Sequence, residues 1–92
     1  MSRALIIIDV QNDYFPGGNM ELVDMETAGQ NCSRLLQAFR SSGLPVYHVQ
    51  HLSVREGAGF FIPGTPGCEI HPCVQAENGE PVITKHFPKP FN

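Results

Sequence analysis

The stretch ALIIIDVQNDYFPGG, residues 4–18, decides how the rest of the chain reads. Leu5-Ile6-Ile7-Ile8 is a continuous apolar run, mostly β-branched, as in a strand buried on both faces of a parallel sheet. Asp9 follows it directly. A carboxylate is costly to place beside so apolar a run unless it meets a partner charge or opens into a polar crevice. Asn12-Asp13 and Pro16-Gly17-Gly18 then bring turn chemistry.

Working outward, residues 27–42 carry Ala28, Cys32, Leu35, Leu36 and Phe39 at helical spacing and predict an amphipathic helix. Asp24 or Thr27 is placed to cap its start, and Gly43 stands where helices commonly stop. Pro45 prevents continuation, and VYHVQHL (46–52) reads as a second strand. Strand, helix and strand make a βαβ unit, so the two strands are expected to be parallel. From Ser53 to Pro81 the periodicity weakens through EGAGFFIPGTPGCEIHP (56–72), with a short helical turn expected around 70–76. A loop of this length inside a small domain is usually functional or interfacial. PVITK (81–85) gives a third short strand ending in Lys85. HFPKPFN (86–92) holds two prolines and does not suit a sheet interior.

Composition narrows the function classes. Six basic and nine acidic residues give a formal charge of −3 without a basic cluster, which argues against nucleic-acid binding. No stretch approaches the roughly 20 apolar residues of a membrane span, and the N-terminal run is too short for a signal peptide. Three cysteines, an odd number without framework spacing, point to free thiols and a cytoplasmic setting. No Gly-x-Gly-x-x-Gly or phosphate loop follows the first strand, so a nucleotide-binding domain has little support.

Two of the three expected strands end in a charge, Asp9 and Lys85. Sites in open α/β sheets form outside the carboxyl ends of the strands, so both side chains would project into one crevice. A carboxylate beside an ammonium can accept a proton from a third group. A structural ion pair at the sheet edge fits the same spacing, and spacing alone leaves both open.

These segments, ALIIIDVQNDYFPGG followed by PVYHVQH, FIPGTPGCEIHP and GEPVITKHFPKPF, resemble the isochorismatase-like cysteine hydrolase superfamily, in order from residue 4 to 91. The resemblance implies a three-layer α/β (Rossmann-like) fold with a parallel sheet flanked by helices. Residues 1–92 would be the N-terminal part of a single such domain. It implies hydrolysis of a small amide or carbamoyl-type substrate by an Asp, a Lys and a Cys. Asp9 matches the family's Asp and would take the thiol proton and pass it to the leaving group. Lys85 matches its Lys and would favour the thiolate. Phe15 matches a position that often lines the substrate pocket.

The family's nucleophile lies beyond the Lys, at a helix start in a Cys-Val type motif, and none of Cys32, Cys68 and Cys73 has that context. The C-terminal half with the nucleophile, and with the oxyanion-hole donors, is therefore expected to be missing from these residues. The first strand would then keep an open apolar edge, to be completed by a C-terminal segment or by homo-oligomerisation. Cys32 on the helix stripe reads as core, and Cys68 and Cys73 as loop thiols with a structural role. A zinc site from Cys68, His71, Cys73 and His86 lacks the usual paired spacing. HVQHLSVREGAG (48–59) also lacks the Asp-x-His of metal-dependent nicotinamidases, so neither a catalytic metal nor a cofactor is expected. His48 and His51 fall on opposite strand faces and read as hydrogen-bonded structural residues, though either can face the pocket. Phe60 and Phe61 suit either an interface or packing on their own domain.

Two other outcomes fit the same residues. One is a catalytically inactive, truncated module that pairs with or regulates a full-length relative. The other is an isochorismatase-type vinyl-ether hydrolase that works without the Cys, with the Asp as acid.

Overall fold

A computed structural model describes residues 3–86. Three parallel strands, β1 (Leu5–Ile8), β2 (Val46–His51) and β3 (Val82–Lys85), form a sheet in the order β1-β2-β3. Leu5 pairs with Val46 and Ile8 with Val49; His48 pairs with Val82 and His51 with Lys85. This is the α/β architecture expected from the sequence, with helix α1 (Met25–Ser41) in the β1–β2 crossover. The final residues 87–92, including both closing prolines, lie outside the described part.

Helix α1 ends as its sequence suggests. Gly43 has φ +68°, its N–H bonds Arg40 O, and Leu44 N–H reaches back to Phe39 O. Those two bonds form a Schellman cap, which places its C′ residue in the left-handed region that glycine tolerates best. The start differs from expectation. The helix begins at Met25, two residues early, and Asp24 precedes it in a left-handed conformation with no side-chain capping bond.

The buried stripe of α1 is also rotated. Gly29 and Leu36 are buried and Cys32 and Phe39 partly so, whereas Ala28 and Leu35 face outward. Gly29 lies against Phe15 and Cys73, where a Cβ would stand about 3.0 Å from the Cys73 Sγ. Its lack of a side chain, not an apolar one, turns this face inward. Ile7, Val10, Phe15, Leu36, Val46 and Val74 make the core, with Cys32, Phe39 and Cys73 packed against it.

Burial of β1 on both faces is not observed among the described residues. Ile7 is buried under α1, but Ile6 and Ile8 on the other face are 46 % and 41 % exposed. Ile83 on the same face is 51 % exposed. On that face Val49 of the middle strand is buried while its neighbours Ile8 and Ile83 stay exposed, and a β-branched run reports apolarity without saying which face is covered.

The long segment after β2 is ordered by local turns and by a return to the β1 end. It carries 3-10 turns at Pro66–Cys68 and Pro72–Val74, the second inside the expected 70–76 stretch. Asn12 N–H bonds Glu69 O and His71 N–H bonds Val10 O, around an antiparallel bridge between Gln11 and Ile70. The loop therefore closes over the residues that follow β1.

Candidate active site

Asp9 stands where β1 stops. Its N–H still pairs with Val49 O of β2 at 3.1 Å, but its φ is +61°. Asp is one of the few non-glycine residues that visit this region with some frequency, at a cost of about 1–3 kcal/mol. The turn swings the carboxylate off the strand alternation and toward the end of β3. There Oδ2 meets Lys85 Nζ at 3.1 Å, with the Asp9 side chain 20 % and the Lys85 side chain 7 % exposed. The second oxygen, Oδ1, is buried and has no hydrogen-bond partner among the described residues. An unfilled, buried carboxylate lone pair is what a proton acceptor needs.

The frame around this pair is made by polar side chains. Gln11 is fully buried; its Oε1 accepts from His51 N–H at 2.8 Å and its Nε2 donates to His51 O at 2.8 Å and Cys68 O at 2.7 Å. This amide pairs with β2 as a strand backbone would, and it holds the end of β2 beside Asp9. Asp13, 1 % exposed, accepts Asn19 N–H on Oδ1 and Phe61 N–H at 2.7 Å on Oδ2. Gly67 packs directly on the Asp13 carboxylate, where any Cβ would collide. Asp13 thereby ties both the 59–61 and the 66–68 loop segments to the turn after β1.

Phe61 is driven inward by that bond. It is fully buried with φ +56° and packs against Tyr14, Phe60 and His51 at ring-centroid distances of 4.7, 4.9 and 5.4 Å. Phe61 thus packs on its own domain. Tyr14 has its hydroxyl pKa raised, first by burial and then by the Asp9 charge. His51 is pushed below the ordinary imidazole value by burial, which outweighs the upward pull of Asp9. These shifts place Tyr14 and His51 within electrostatic reach of the pair.

Of the expected site residues, Asp9 and Lys85 come together, while Phe15 sits in the core. Phe15 stacks on His71 with ring centroids 3.7 Å apart and planes at 14°, and lines clefts with His71 and Pro16. A recess beyond the end of β2 is walled by His51, Phe60 and His86, and neither Asp9 nor Lys85 is part of its lining. The two strand histidines divide as their faces require. His48 is buried and its Nε2 bonds Glu80 Oε1 at 2.9 Å, while His51 lies on the Asp9–Lys85 side.

Each thiol is committed elsewhere. Cys68 Sγ donates to Thr65 O, and Cys73 lies against Gly29 of α1 with its pKa raised by burial and by neighbouring Cys32. A raised pKa is the reverse of what an attacking thiol requires. Among the described residues no group of three or more His, Cys, Asp or Glu side chains is arranged to hold a metal. Cys68, His71, Cys73 and His86 are accordingly not gathered; His71 Nδ1 accepts from Cys73 N–H, and His86 Nδ1 donates to Leu52 O. No helix among the described residues is long and apolar enough to cross a membrane.

Gln11, Asp13, Tyr14 and Glu80 escaped the reading of the sequence. The signal available for the first two was three polar residues, Gln11-Asn12-Asp13, shortly after an apolar strand and its closing Asp9-Val10. Asn12-Asp13 read as turn formers and Gln11 carried no reading, so nothing hinted that Gln11 and Asp13 are buried.

Comparison with known proteins extends the local geometry to the whole chain. A family model described as the isochorismatase domain matches residues 3–92. The isochorismatase family protein YddQ of Bacillus subtilis is 50 % identical over 91 residues, which is 99 % of this chain and 51 % of that protein. The nicotinamidase/pyrazinamidase of Mycobacterium tuberculosis is 28 % identical over 99 residues, covering 90 % of this chain and 51 % of its own. Among solved structures, an isochorismatase hydrolase from Oleispira antarctica superposes with a TM-score of 0.86 at 48 % identity, over 90 % of this chain and 46 % of the other. N-carbamoylsarcosine amidase from Thermoplasma acidophilum gives 0.79 at 26 % identity, over 94 % and 53 %. The chain spans about half the length of the relatives it matches.

Proposed function

This chain belongs to the isochorismatase-like hydrolase family, and from that premise we propose that it contributes the Asp–Lys half of a thiol hydrolase site for a small amide or carbamoyl compound. The observation that carries the reading is the Asp9–Lys85 pair: one carboxylate oxygen held at 3.1 Å by the ammonium, the other buried and unfilled. In this reading the thiol comes from the part of the family domain that these 92 residues do not cover. Asp9 Oδ1 takes the thiol proton, and the sulfur attacks the substrate carbonyl carbon. The C–N bond then breaks as Asp9 returns the proton to the leaving nitrogen, leaving a thioester. Water, deprotonated by Asp9, cleaves the thioester and restores the thiol. Lys85 Nζ holds the other carboxylate oxygen in place at 3.1 Å. Nicotinamidase and N-carbamoylsarcosine amidase among the relatives support a carbonyl–nitrogen bond as the one broken. Phe15 is retained as a candidate wall through the clefts it lines with His71.

The test is ammonia release from a panel of primary amides and ureides by the full-length protein and its Asp9→Asn variant. General acid–base residues contribute about 10²–10⁴-fold, so kcat/KM should fall by that order while far-UV circular dichroism is kept. Turnover retained in Asp9→Asn removes Asp9 from the mechanism. A vinyl ether added to the panel tests the thiol-free variant, with Asp9 protonating the substrate as acid.

The second reading, an inactive module completed by a full-length relative or by another copy, is favoured by the placement of all three thiols away from the pair. It gains support from the exposed Ile6, Ile8 and Ile83 on one sheet face. Residues 1–92 alone should then show no turnover but associate with the relative in sedimentation. Measurable hydrolysis by residues 1–92 that disappears in Asp9→Asn argues against it.

A further inference from the structure

Two thiols that the proposed hydrolysis does not use meet where α1 packs on the Pro72–Val74 turn. Cys73 Sγ lies against Gly29, 3.0 Å from where a Cβ on that glycine would stand. Cys32 follows Gly29 by three residues on α1, and helix residues at that spacing share a face with their Cβ atoms roughly 5–6 Å apart. Both thiols pack against the core cluster that holds Phe15 and Leu36. A second sign of closeness is electrostatic: the Cys73 pKa is raised by burial and then by Cys32. The third thiol, Cys68, is buried, and its Sγ donates to Thr65 O. Cys32 and Cys73 are free and partly exposed, and Cys73 borders a recess of about 340 Å³ with Phe15, Glu26 and His71. A small oxidant can therefore reach the pair from solvent.

We propose that Cys32 and Cys73 form a reversible disulfide, closed by hydrogen peroxide and opened by a dithiol, which staples α1 to the loop that folds over the end of β1. Cys32, as thiolate, attacks one peroxide oxygen; the O–O bond breaks, hydroxide leaves, and a sulfenic acid forms. Cys73 then displaces hydroxide from that sulfur and the S–S bond forms. The two thiol protons neutralise the two hydroxides, so the peroxide ends as two waters, reduced by the two electrons that the thiols give up. Cys73, kept protonated to higher pH by burial, suits the second of these roles. A disulfide needs Cβ atoms about 3.5–4.5 Å apart. Gly29 brings that span within reach, because its missing side chain lets the turn sit close on the helix beside Cys32. The bond would join residues 41 positions apart, a loop long enough for the denatured chain to lose much of its freedom. Cys73 follows His71, whose N–H bonds Val10 O and whose ring stacks on Phe15. The oxidised chain therefore holds the segment after Asp9 more firmly than the reduced one.

The test is titration of the reduced full-length protein with hydrogen peroxide, followed by peptide mapping without reductant. We expect a linked peptide joining Cys32 to Cys73, lighter by two hydrogen atoms than its reduced halves, that dithiothreitol returns to free thiols. The oxidised protein should unfold roughly 5 °C or more above the reduced one in a thermal melt. That shift should be absent from Cys32→Ser and from Cys73→Ser after the same treatment. A link from either residue to Cys68 or to a second molecule overturns the proposal. So does sulfinic acid on either residue without a link, failure of both thiols to react, or a melt that oxidation leaves unchanged. The mapping uses the unaltered sequence, so it does not depend on how well either serine variant folds. Asp9 and Lys85 take no part in the pair, and the outcome is independent of the hydrolase reading.

Discussion

At Asp9 a single residue performs two tasks that pull against each other. It must end a strand in a left-handed conformation, and it must present a carboxylate with one oxygen on Lys85 and one open. Asn also tolerates that conformation, which makes Asp9→Asn a test of charge with the backbone preserved, whereas Asp9→Ala adds strain to the loss of charge. We expect Asp9→Ala to lower the unfolding free energy below that of Asp9→Asn by about 1 kcal/mol, read from urea midpoints. Asp13 shows the same economy of position with a different result. Its two oxygens are taken by the backbone N–H groups of Asn19 and Phe61, so it builds and does not react. Asp13→Ala leaves the buried Phe61 N–H unpaired, at a cost of about 1–3 kcal/mol, and should raise amide exchange at Phe61 and around Gly67 before the rest of the chain. Exchange that rises uniformly would show that Asp13 holds no particular loop. Both carboxylates follow β1 within five residues, and the letters alone do not separate them. What separates them is which neighbours fold back onto each.

At the scale of elements, α1 is fixed at its C-terminal end, while its start carries no side-chain cap. Its C-terminus is closed by the Gly43 cap, with φ +68° and bonds to Arg40 O and Phe39 O. Gly43→Ala should destabilise the chain by about 1 kcal/mol, measured by urea unfolding, since a Cβ there is strained whatever the space around it. An unchanged midpoint would mean that the cap is dispensable. The βαβ order and the parallel pairing were legible because apolar runs and turn residues alternate at the right lengths. The rotation of the α1 stripe was not, because Gly29 joins the buried face through close approach to Phe15 and Cys73, and glycine has no hydrophobicity to count. The loop from Ser53 to Pro81 read as irregular for a related reason. Its order comes from side chains and strands distant in sequence, such as Asp13 with Phe61 and Val10 with His71, and not from any local period.

Over the whole molecule, an ionic cluster ties α1, β2 and the approach to β3. Arg40 donates to both oxygens of Glu80 at 2.7 Å, and Glu80 also accepts from buried His48 at 2.9 Å. The Arg40 hydrogen bonds, with smaller help from His48, hold the Glu80 carboxyl down at about 2 from the ordinary 4.5. A carboxyl whose folded value is lowered stabilises the fold above its unfolded value. That contribution is lost as the pH falls through the window from 4.5 to about 2. Stability measured by urea should therefore decline across that window, and Glu80→Gln should flatten the decline while costing about 1.5–3 kcal/mol at neutral pH. A decline equally steep in Glu80→Gln would place the acid sensitivity elsewhere. The chain order of strand, helix and strand, the end of the helix, and the charges at two strand ends were determined by the sequence itself, because each depends on local spacing and turn chemistry. Tertiary structure alone decided that Asp9 faces Lys85 across 76 positions of chain, that Asp13 is a clamp, and that among the described residues Ile6 and Ile8 of β1 stay exposed. Those outcomes depend on which surfaces meet when the loop folds back, and no period within a segment records them.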